Sequence, residues 1–379
     1  MAKMKQSDND AAEQSRKSTD AISEQAKAAR FIMGMSRAGT NWMARCLNEH
    51  SAVVVFGETS YWGKHYVEPD ASGLYQEEHL DAVFAHLYRL AWDATLGSTP
   101  GEQSPGRLKR LTLEGVHAML DRLRSSLQPP LSPAELFLKL GEAFAQEERK
   151  TIAIEKTPHH VNWPDRIFSA YPAAKAVVHI RDPYSFMLSY KHQGDRWRPA
   201  SRKRFKQLYH PIGCALVWKG YARSCLAALE RYPDNCIVVR YEDIQSNPHS
   251  VLAAVQRHFN LQIEPLAERV PRTNSSFATA SRPPLSRADI FWMNVLAGSL
   301  ITKAKYHVRR AGVRSVLSVS LSLLRLPLWA ARCYMHMSKT TSGSTMRYIL
   351  RWLGVYGRRP AAPCVDDPQS SPKARSPVQ

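Results

Sequence analysis

The segment between residues 31 and 47 constrains the fold of this chain most. A short apolar stretch, Phe31-Ile32-Met33, ends at Gly34, and an apolar helical pattern begins near Trp42. Two glycines five residues apart, Gly34 and Gly39, lie in the loop between them. A strand, a glycine loop and a helix in this order gather backbone N–H groups at the helix N-terminus, where an anion can bind. The pattern predicts an anion-binding loop in an α/β fold; the alternative is a glycine turn that only opens a helix.

Other apolar stretches predict more strands. They are short, rich in β-branched residues and separated by helical patterns, at residues 53–56, 151–154, 176–180 and 236–239. Short apolar strands that alternate with helices are typical of a parallel sheet with helices on both faces. Between residues 60 and 150 the segments 76–92 and 112–127 have helical spacing and flank the Gly/Pro/Ser-rich run 97–106. We interpret 60–150 as a helical insertion.

The loop differs from that of nucleoside triphosphatases. Their pattern G-x-x-x-x-G-K-[ST] supplies a lysine for the γ-phosphate and a hydroxyl for Mg²⁺. Here Thr40-Asn41 stands in place of the lysine and that hydroxyl, and the positive charge lies inside the loop at Arg37. The sequence therefore predicts an anionic ligand that binds without a metal ion.

The stretch GMSRAGTNWM resembles the 5′-phosphosulfate loop of sulfotransferases. Four positions match that loop: Arg37, Gly39, Thr40 and Trp42. Three positions depart from it: Ser36, Ala38 and Asn41. Ala38 and Asn41 replace hydroxyls that usually donate to the phosphate, although the Asn41 amide can replace one donor. The resemblance implies that residues 37–42 bind the donor 3′-phosphoadenosine-5′-phosphosulfate, including Ala38 in the centre of the loop, and that no metal is needed.

A second motif, HIRDPYSFMLSY, follows the strand at 176–180. Arg181 ends that strand and Ser189 lies eight residues later, which is the spacing of the 3′-phosphate site in sulfotransferases. Arginine suits this role because its guanidinium makes charge-assisted hydrogen bonds to phosphate oxygens. Taken alone, the motif is equally typical of a turn that caps a helix.

Three more segments occur in the family's order. The residues after the second strand contain Glu58, at the place of the carboxylate base of tyrosyl-protein and related bacterial sulfotransferases. Glu155-Lys156-Thr157-Pro158 resembles an element whose lysine faces the transferred group. Arg240-Tyr241-Glu242-Asp243 resembles the motif that ends the last core strand in this family. The resemblance covers about residues 30–305 and implies a sulfotransferase domain with a P-loop-type parallel sheet. We interpret the insertion 60–150 as the acceptor side of this domain.

The resemblance also implies roles for these residues. Arg37 and Lys156 would neutralise the charge that develops during transfer, and Glu58 would accept the acceptor's proton, unless it is a structural glutamate. Alternative bases are His65, His159 and His160, of which the last two also fit surface residues at a helix start. Tyr241 would stack on the adenine or end a strand in the core. Trp42 would lie beside the adenine or under the loop, whereas Trp218 and Tyr221 fit core positions.

The C-terminal part of the chain is strongly basic. The whole protein has 379 residues and a net charge of +19, and residues 290–365 contain twelve lysines and arginines with no Asp or Glu. We expect a disordered leader at 1–29, a basic amphipathic extension at 306–359 and a disordered tail at 360–379. The apolar stretch 313–331 contains Arg325 and Pro327, so it fits a helix in the interface of an anionic membrane better than a spanning helix. The alternative is a cap that buries its leucines against the core.

The N-terminus has no apolar run, and the six cysteines show no metal or CxxC spacing. These features predict a cytoplasmic protein, peripheral on the inner membrane surface where the basic region attaches it. The predicted partners are a small-molecule, glycan or lipid acceptor, with no specific nucleic acid, because the basic region contains no reader motif. A P-loop kinase and a non-catalytic protein that binds membranes or polyanions are the alternative functions.

Overall fold

Residues 28–90, 92, 106–193, 203, 206–267, 284–310 and 316–340 are described in the computed structural model of the protein, with the side chains of 318–335 only in the last range. The predicted tail 360–379, the run 97–105 and almost all of the predicted leader 1–29 lie outside these residues. Of the predicted extension 306–359, only 306–310 and 316–340 are described.

Five strands form one parallel sheet in the described part of the chain. In chain order they are β1 (Arg30–Gly34), β2 (Val53–Phe56), β3 (Ile152–Lys156), β4 (Lys175–Ile180) and β5 (Cys236–Arg240). Their order across the sheet is β2-β3-β1-β4-β5, and every neighbouring pair is parallel. Because all five strands run the same way, the residues that follow their carboxyl ends meet at one edge of the sheet, where ligands bind in such folds.

Helices cover both faces of this sheet. In chain order they are α1 (Thr40–Asn48), α2 (Glu77–Leu87), α3 (Leu113–Ser126), α4 (Pro133–Glu148), α5 (Pro164–Ala170), α6 (Pro183–Lys191), α7 (Pro211–Arg231), α8 (Tyr241–Ser246), α9 (Pro248–His258), α10 (Arg287–Lys303) and α11 (Val316–Thr340). A 3-10 helix occupies Pro158–Asn162. The predicted P-loop-type α/β fold is confirmed. Helices α2 and α3 fall in the predicted segments 76–92 and 112–127, and α4 lies elsewhere in the predicted helical insertion 60–150.

The sheet separates two apolar clusters. Side chains alternate along each strand, so Phe31 and Met33 pack on one face while Ile32 packs on the other. Val53–Phe56 is buried on both faces, which explains why that strand reads as a continuous apolar run. Burial on both faces holds the carboxyl ends of the strands in a fixed register, with Phe31 opposite Glu155 and Gly34 opposite His179.

Helix α11 is attached to the domain along one face. Its Ser322 accepts a 2.8 Å hydrogen bond from the Trp292 indole of α10, and the Ser322 carbonyl lies 3.0 Å from His210 Nε2. The Trp329 indole donates to the Leu208 carbonyl over 2.9 Å and lies against Gly213 at the start of α7. These contacts connect α11 to α7 and α10.

The opposite side of α11 is open to solvent. Four of its leucines are exposed: Leu321, Leu323, Leu324 and Leu328. The alternative that these leucines are buried against the core is therefore wrong. No helix among the described residues is long and apolar enough to cross a membrane.

Candidate active site

The loop between β1 and α1 depends on glycine at two positions. Gly34 has a φ of +124°, and a Cβ there would be 2.3 Å from the His179 carbonyl oxygen of β4. Gly39 has a φ of +87°, and its Cβ would be 3.2 Å from the ring of Tyr241. Only glycine combines this conformation with so close an approach. The two glycines therefore bring the loop against β4 and against the start of α8.

The N-terminus of α1 carries no side-chain cap. Gly39 is its N-cap residue and Thr40 its first residue. The first N–H groups of a helix have no partner within the helix, and the helix dipole favours an anion there. Ala38 is fully buried in the core, and its carbonyl lies 3.0 Å from His179 Nδ1. Ala38 can thus contact a ligand only through its backbone. The absence of a side-chain hydroxyl at this position therefore has little effect on ligand binding.

A lysine and a carboxylate meet beside this helix end. The Lys156 ammonium at the end of β3 donates to Glu58 Oε1 over 2.6 Å and to Asn41 Oδ1 over 2.9 Å. The Lys156 side chain is 7% exposed, whereas that of Glu58 is 45% exposed. The lysine therefore joins the loop to the segment after β2, and the carboxylate is open to solvent.

A buried network that the sequence analysis did not identify supports this pair. The Glu155 carboxylate accepts hydrogen bonds from the Thr59 N–H (3.1 Å), the Thr59 hydroxyl (2.8 Å) and the Thr157 hydroxyl (2.5 Å). Its other oxygen lies 2.9 Å from His160 Nδ1. Burial alone would raise the pKa of the Glu155 carboxyl, but His160 and the hydroxyl donors hold it below its ordinary value. Glu155 and Thr59 directly adjoin Lys156 and Glu58, so the network positions both.

His160 is fully buried in this network. The interpretation of His160 as a surface residue at a helix start is therefore wrong. His160 lies within the 3-10 helix Pro158–Asn162. Its Nε2 accepts a hydrogen bond from the Trp62 N–H over 3.3 Å. That bond leaves Nδ1 to carry the ring proton toward Glu155. The local signal in the sequence was Glu155 followed by Thr157 and His160, whereas Thr59 lies 96 positions away.

The second predicted motif meets the loop from the other side. Arg181 is buried; its guanidinium donates to the Arg37 carbonyl over 2.6 Å and to the Ser185 hydroxyl over 3.1 Å. It lies 3.9 Å from the centre of the Tyr241 ring. Buried Ser189 accepts a 3.2 Å hydrogen bond from Arg37 Nε. The structure therefore brings together four residues to which the sequence analysis gave separate roles. These roles were the 5′-phosphosulfate site, the 3′-phosphate site and the adenine, for Arg37, Arg181 with Ser189, and Tyr241 respectively.

Both arginines are cations in a desolvated environment. Burial lowers the pKa of Arg37 and of Arg181 below the ordinary guanidinium value, although both groups stay protonated near neutral pH. The Arg37 side chain points to Ser189, while the cation beside Glu58 is Lys156. Two desolvated guanidiniums at this point favour an anion with several acceptor oxygens.

A family model described as the sulfotransferase family matches residues 30–265. This range is more than half of the chain. The chain belongs to the sulfotransferase family.

Several solved sulfotransferase structures are similar to this chain. The sulfotransferase domain of the curacin biosynthetic pathway is 16% identical, with 74% of this chain and 99% of that chain covered and a TM-score of 0.44. The domain of the Synechococcus PCC 7002 olefin synthase is 15% identical, with coverages of 78% and 94% and a TM-score of 0.42. The sulfotransferase from Alicyclobacillus acidocaldarius is 15% identical, with coverages of 74% and 96% and a TM-score of 0.38. The search of curated proteins found no match.

The other two histidines named as alternative bases, His65 and His159, lie in different surroundings. His65 stacks on His86 with ring centres 3.6 Å apart, and burial together with the His86 charge lowers the pKa of His65 to about 4. His159 Nε2 lies 3.0 Å from the Tyr221 hydroxyl, and that hydroxyl lies 2.7 Å from Ser36 Oγ in the loop. Desolvation lowers the pKa of His159, so its ring is neutral at pH 7. His159 therefore remains an alternative base.

The aromatic residues predicted for the core lie there. Trp218 is fully buried and donates to the Arg181 carbonyl over 2.9 Å, so it holds the end of β4. Tyr221 is also buried, yet its hydroxyl reaches the loop, which the sequence did not show. Trp42 is partly buried and packs on the apolar cluster beneath α1. In the described residues no three His, Cys, Asp or Glu side chains are placed to hold a metal ion; metal independence stays a prediction.

Proposed function

We propose that this sulfotransferase uses 3′-phosphoadenosine-5′-phosphosulfate as donor and sulfates a hydroxyl or amine of a glycan, lipid or other small acceptor. When bound, the donor supplies the sulfuryl group and leaves as the 3′,5′-bisphosphate. The observation that carries the proposal is Lys156, whose ammonium is hydrogen-bonded both to Asn41 of the anion loop and to Glu58. A cation held between an anion site and a carboxylate suits in-line transfer of a sulfuryl group, because negative charge develops on the leaving oxygen.

The residues present fit the donor. The uncapped N-terminus of α1 and the loop residues 37–42 suit the 5′-phosphosulfate. Arg181 and Ser189 lie on the other side of the loop and suit the 3′-phosphate. In this proposal the ring of Tyr241, which carries the Arg181 guanidinium on one face, borders the adenine. Trp42, which packs on the apolar cluster beneath α1, would lie beside the adenine or under the loop.

Each charged residue has a separate task in this proposal. Glu58 accepts the proton of the acceptor, because its carboxylate is exposed and can be reached by a ligand. Lys156 neutralises the charge that develops on the leaving oxygen. Arg37 bridges the two phosphate sites, since its carbonyl contacts Arg181 and its side chain contacts Ser189. The Glu155 network holds Glu58 and Lys156 in register.

Donor binding tests this proposal directly. We expect 3′-phosphoadenosine-5′-phosphate to bind with the same affinity in the presence and absence of a chelator, because the loop has no Mg²⁺-binding hydroxyl after a lysine. We expect ATP not to displace it. Isothermal titration calorimetry measures both. Preference for ATP, or loss of binding on chelation, would revive the kinase alternative, and binding of neither would favour the non-catalytic one.

The Arg181→Ala variant tests the 3′-phosphate site. We expect the affinity for 3′-phosphoadenosine-5′-phosphate to fall about 10- to 100-fold, on the order of 1.5–3 kcal/mol, because charge-assisted hydrogen bonds are lost. Arg166→Ala is the matched control, since Arg166 also lies over a tyrosine ring, 3.8 Å from the centre of Tyr66, and contacts Trp62 and Glu68. Unchanged affinity in Arg181→Ala would place the 3′-phosphate elsewhere.

The basic C-terminal region supports a second element of the proposal. We propose peripheral attachment through residues 290–365 to the anionic inner surface of a membrane, in a cytoplasmic enzyme with access to a membrane-borne acceptor. Twelve positive charges without an acidic residue support it, since each contributes about 1 kcal/mol near an anionic leaflet. The region 60–150 stays our prediction for the acceptor side.

A further inference from the structure

A cavity of about 580 Å³ lies apart from the loop and the Lys156 cluster. It is formed between the segment before α7 and helix α11. Its walls include four cationic side chains and two apolar ones: Lys203, Lys206, Arg325, Arg332, Leu328 and Trp329. We call it the cationic cavity. None of the residues assigned above to donor binding or catalysis lines it.

The four cations of the cationic cavity have no carboxylate partner among the described residues. Elsewhere in the described chain, exposed cations do form ion pairs, such as Lys109 with Glu49 and Lys303 with Glu230. Like charges that converge without a counter-ion repel each other, so an anion bound among them gains affinity from all four. Two of them are arginines, which can bind phosphate oxygens in a bidentate manner.

An apolar stripe runs along α11 next to the cavity. Leu321, Leu324, Leu328 and Met335 are 46%, 78%, 56% and 55% exposed. Their spacings of three, four and seven residues place them on one face of the helix. We call this face the exposed stripe. Arg325 and Arg332 each follow a stripe leucine by four residues, so they border the stripe on its cavity side.

The helix that carries the stripe is fixed to the domain by its other face. Ser322 and Trp329 contact α10, His210 and Leu208, as described above. The leucines therefore cannot turn inward without breaking these contacts. Leu328 belongs both to the exposed stripe and to the cavity wall. An anionic group and an apolar chain attached to it would thus find their sites side by side.

We propose that the cationic cavity binds the phosphate monoester head group of a membrane lipid while the exposed stripe enters the acyl region. This geometry is that of an amphipathic helix in a bilayer interface, with cations at the level of the phosphates. A monoester fits best because its two negative charges and its free oxygens can use four converging cations. The proposal rests on the membrane attachment proposed above and adds a defined lipid site to it.

Vesicle flotation of the full chain tests the site. The vesicles contain phosphatidylcholine with either phosphatidic acid, a monoester, or phosphatidylglycerol, a diester, at matched surface potential. Diffuse charge attraction responds only to the potential, so it gives equal binding to both. We expect about ten-fold tighter binding to phosphatidic acid because of charge-assisted hydrogen bonds in the cavity.

Two triple variants with the same loss of charge make the test specific. Lys206→Gln, Arg325→Gln and Arg332→Gln together should abolish the preference for phosphatidic acid. The control combines Lys303→Gln, Lys305→Gln and Arg310→Gln, three exposed cations of the basic region that do not line the cavity. It should weaken binding to both lipids and keep the preference. All six positions are exposed, so both variants should fold.

Each contrary result has a separate meaning. Equal binding of the intact protein to both lipids would overturn the lipid site and leave diffuse attachment standing. Absence of flotation with any anionic vesicle would overturn the attachment itself, while donor binding and turnover would be unaffected. Glycerol 3-phosphate is the soluble probe: if it binds as tightly as phosphatidic acid vesicles and the cavity variant loses it, the cavity serves a soluble phosphate ester and the lipid assignment fails.

Discussion

Replacement of Lys156 by alanine should lower the turnover number of the enzyme about 100- to 1,000-fold. Removal of one preorganised donor from a transition state has an effect of this size. The Lys156 ammonium is almost fully buried and hydrogen-bonded to Asn41 and Glu58, so its position is fixed before the donor binds. It therefore needs no reorganisation when charge develops on the leaving oxygen.

Turnover and donor affinity must be measured separately for Lys156→Ala. The assigned role predicts a large loss of turnover and a smaller change in affinity for 3′-phosphoadenosine-5′-phosphate, because the charge it stabilises exists mainly in the transition state. The variant should fold, since the Glu58 carboxylate left behind is 45% exposed and stays hydrated. Lys109→Ala, which breaks the ion pair with Glu49, is the control. A variant that loses only donor affinity would show that Lys156 is a binding residue.

Glu58→Gln should lower turnover roughly 100-fold or more, with donor affinity unchanged. Glutamine has nearly the same shape and can still accept the hydrogen bond from Lys156, but it cannot take a proton from the acceptor. Initial rates at saturating donor measure the effect. The control is Glu68→Gln, because Glu68 also pairs with a cation, Arg166, and has a strongly exposed side chain.

His159 is the residue that would replace Glu58 if this prediction failed. Its pKa is lowered, so its ring is neutral and able to accept a proton at pH 7. A His159→Asn variant should therefore be made in parallel. Near-normal turnover in Glu58→Gln together with a large loss in His159→Asn would transfer the role of base to the histidine.

The sequence predicted the parts of the site that depend on local chain geometry. The glycines of the loop show as a strand–loop–helix pattern because each needs a positive φ or a close neighbour. Arg181 was identified because it ends a buried strand, and the spacing to Ser189 follows from the helix after it. Such features lie within one short segment, so they can be recognised without the rest of the fold.

The parts that were missed depend on register between strands. Glu155 meets Thr59 only because β2 and β3 are parallel neighbours with Phe56 opposite Glu155. The contact of Arg37 with Ser189 spans 152 positions of the chain. No spacing in the sequence reports these distances, since they are set by the packing of the whole sheet. The roles assigned to the individual site residues stay predictions.

The sequence also predicted the C-terminal region only in part. Apolar residues and charges in 313–331 predicted an amphipathic segment, but they did not show which face contacts the domain. The helix begins at Val316, attaches through Ser322 and Trp329, and leaves its leucines outside. A polar serine and one tryptophan form the attachment, because each finds a specific hydrogen-bond partner on the domain.

Helix α7 sets a distance between the two ends of this enzyme. Gly213 at its start lies against Trp329 of α11, and Tyr221, two turns later, reaches Ser36 in the loop. Eight residues of helix rise about 12 Å. Under the membrane attachment proposed above, an acceptor anchored beside α11 would need its nucleophile on the order of 12 Å from its anchor. This distance would favour acceptors with an extended head group over a simple membrane alcohol.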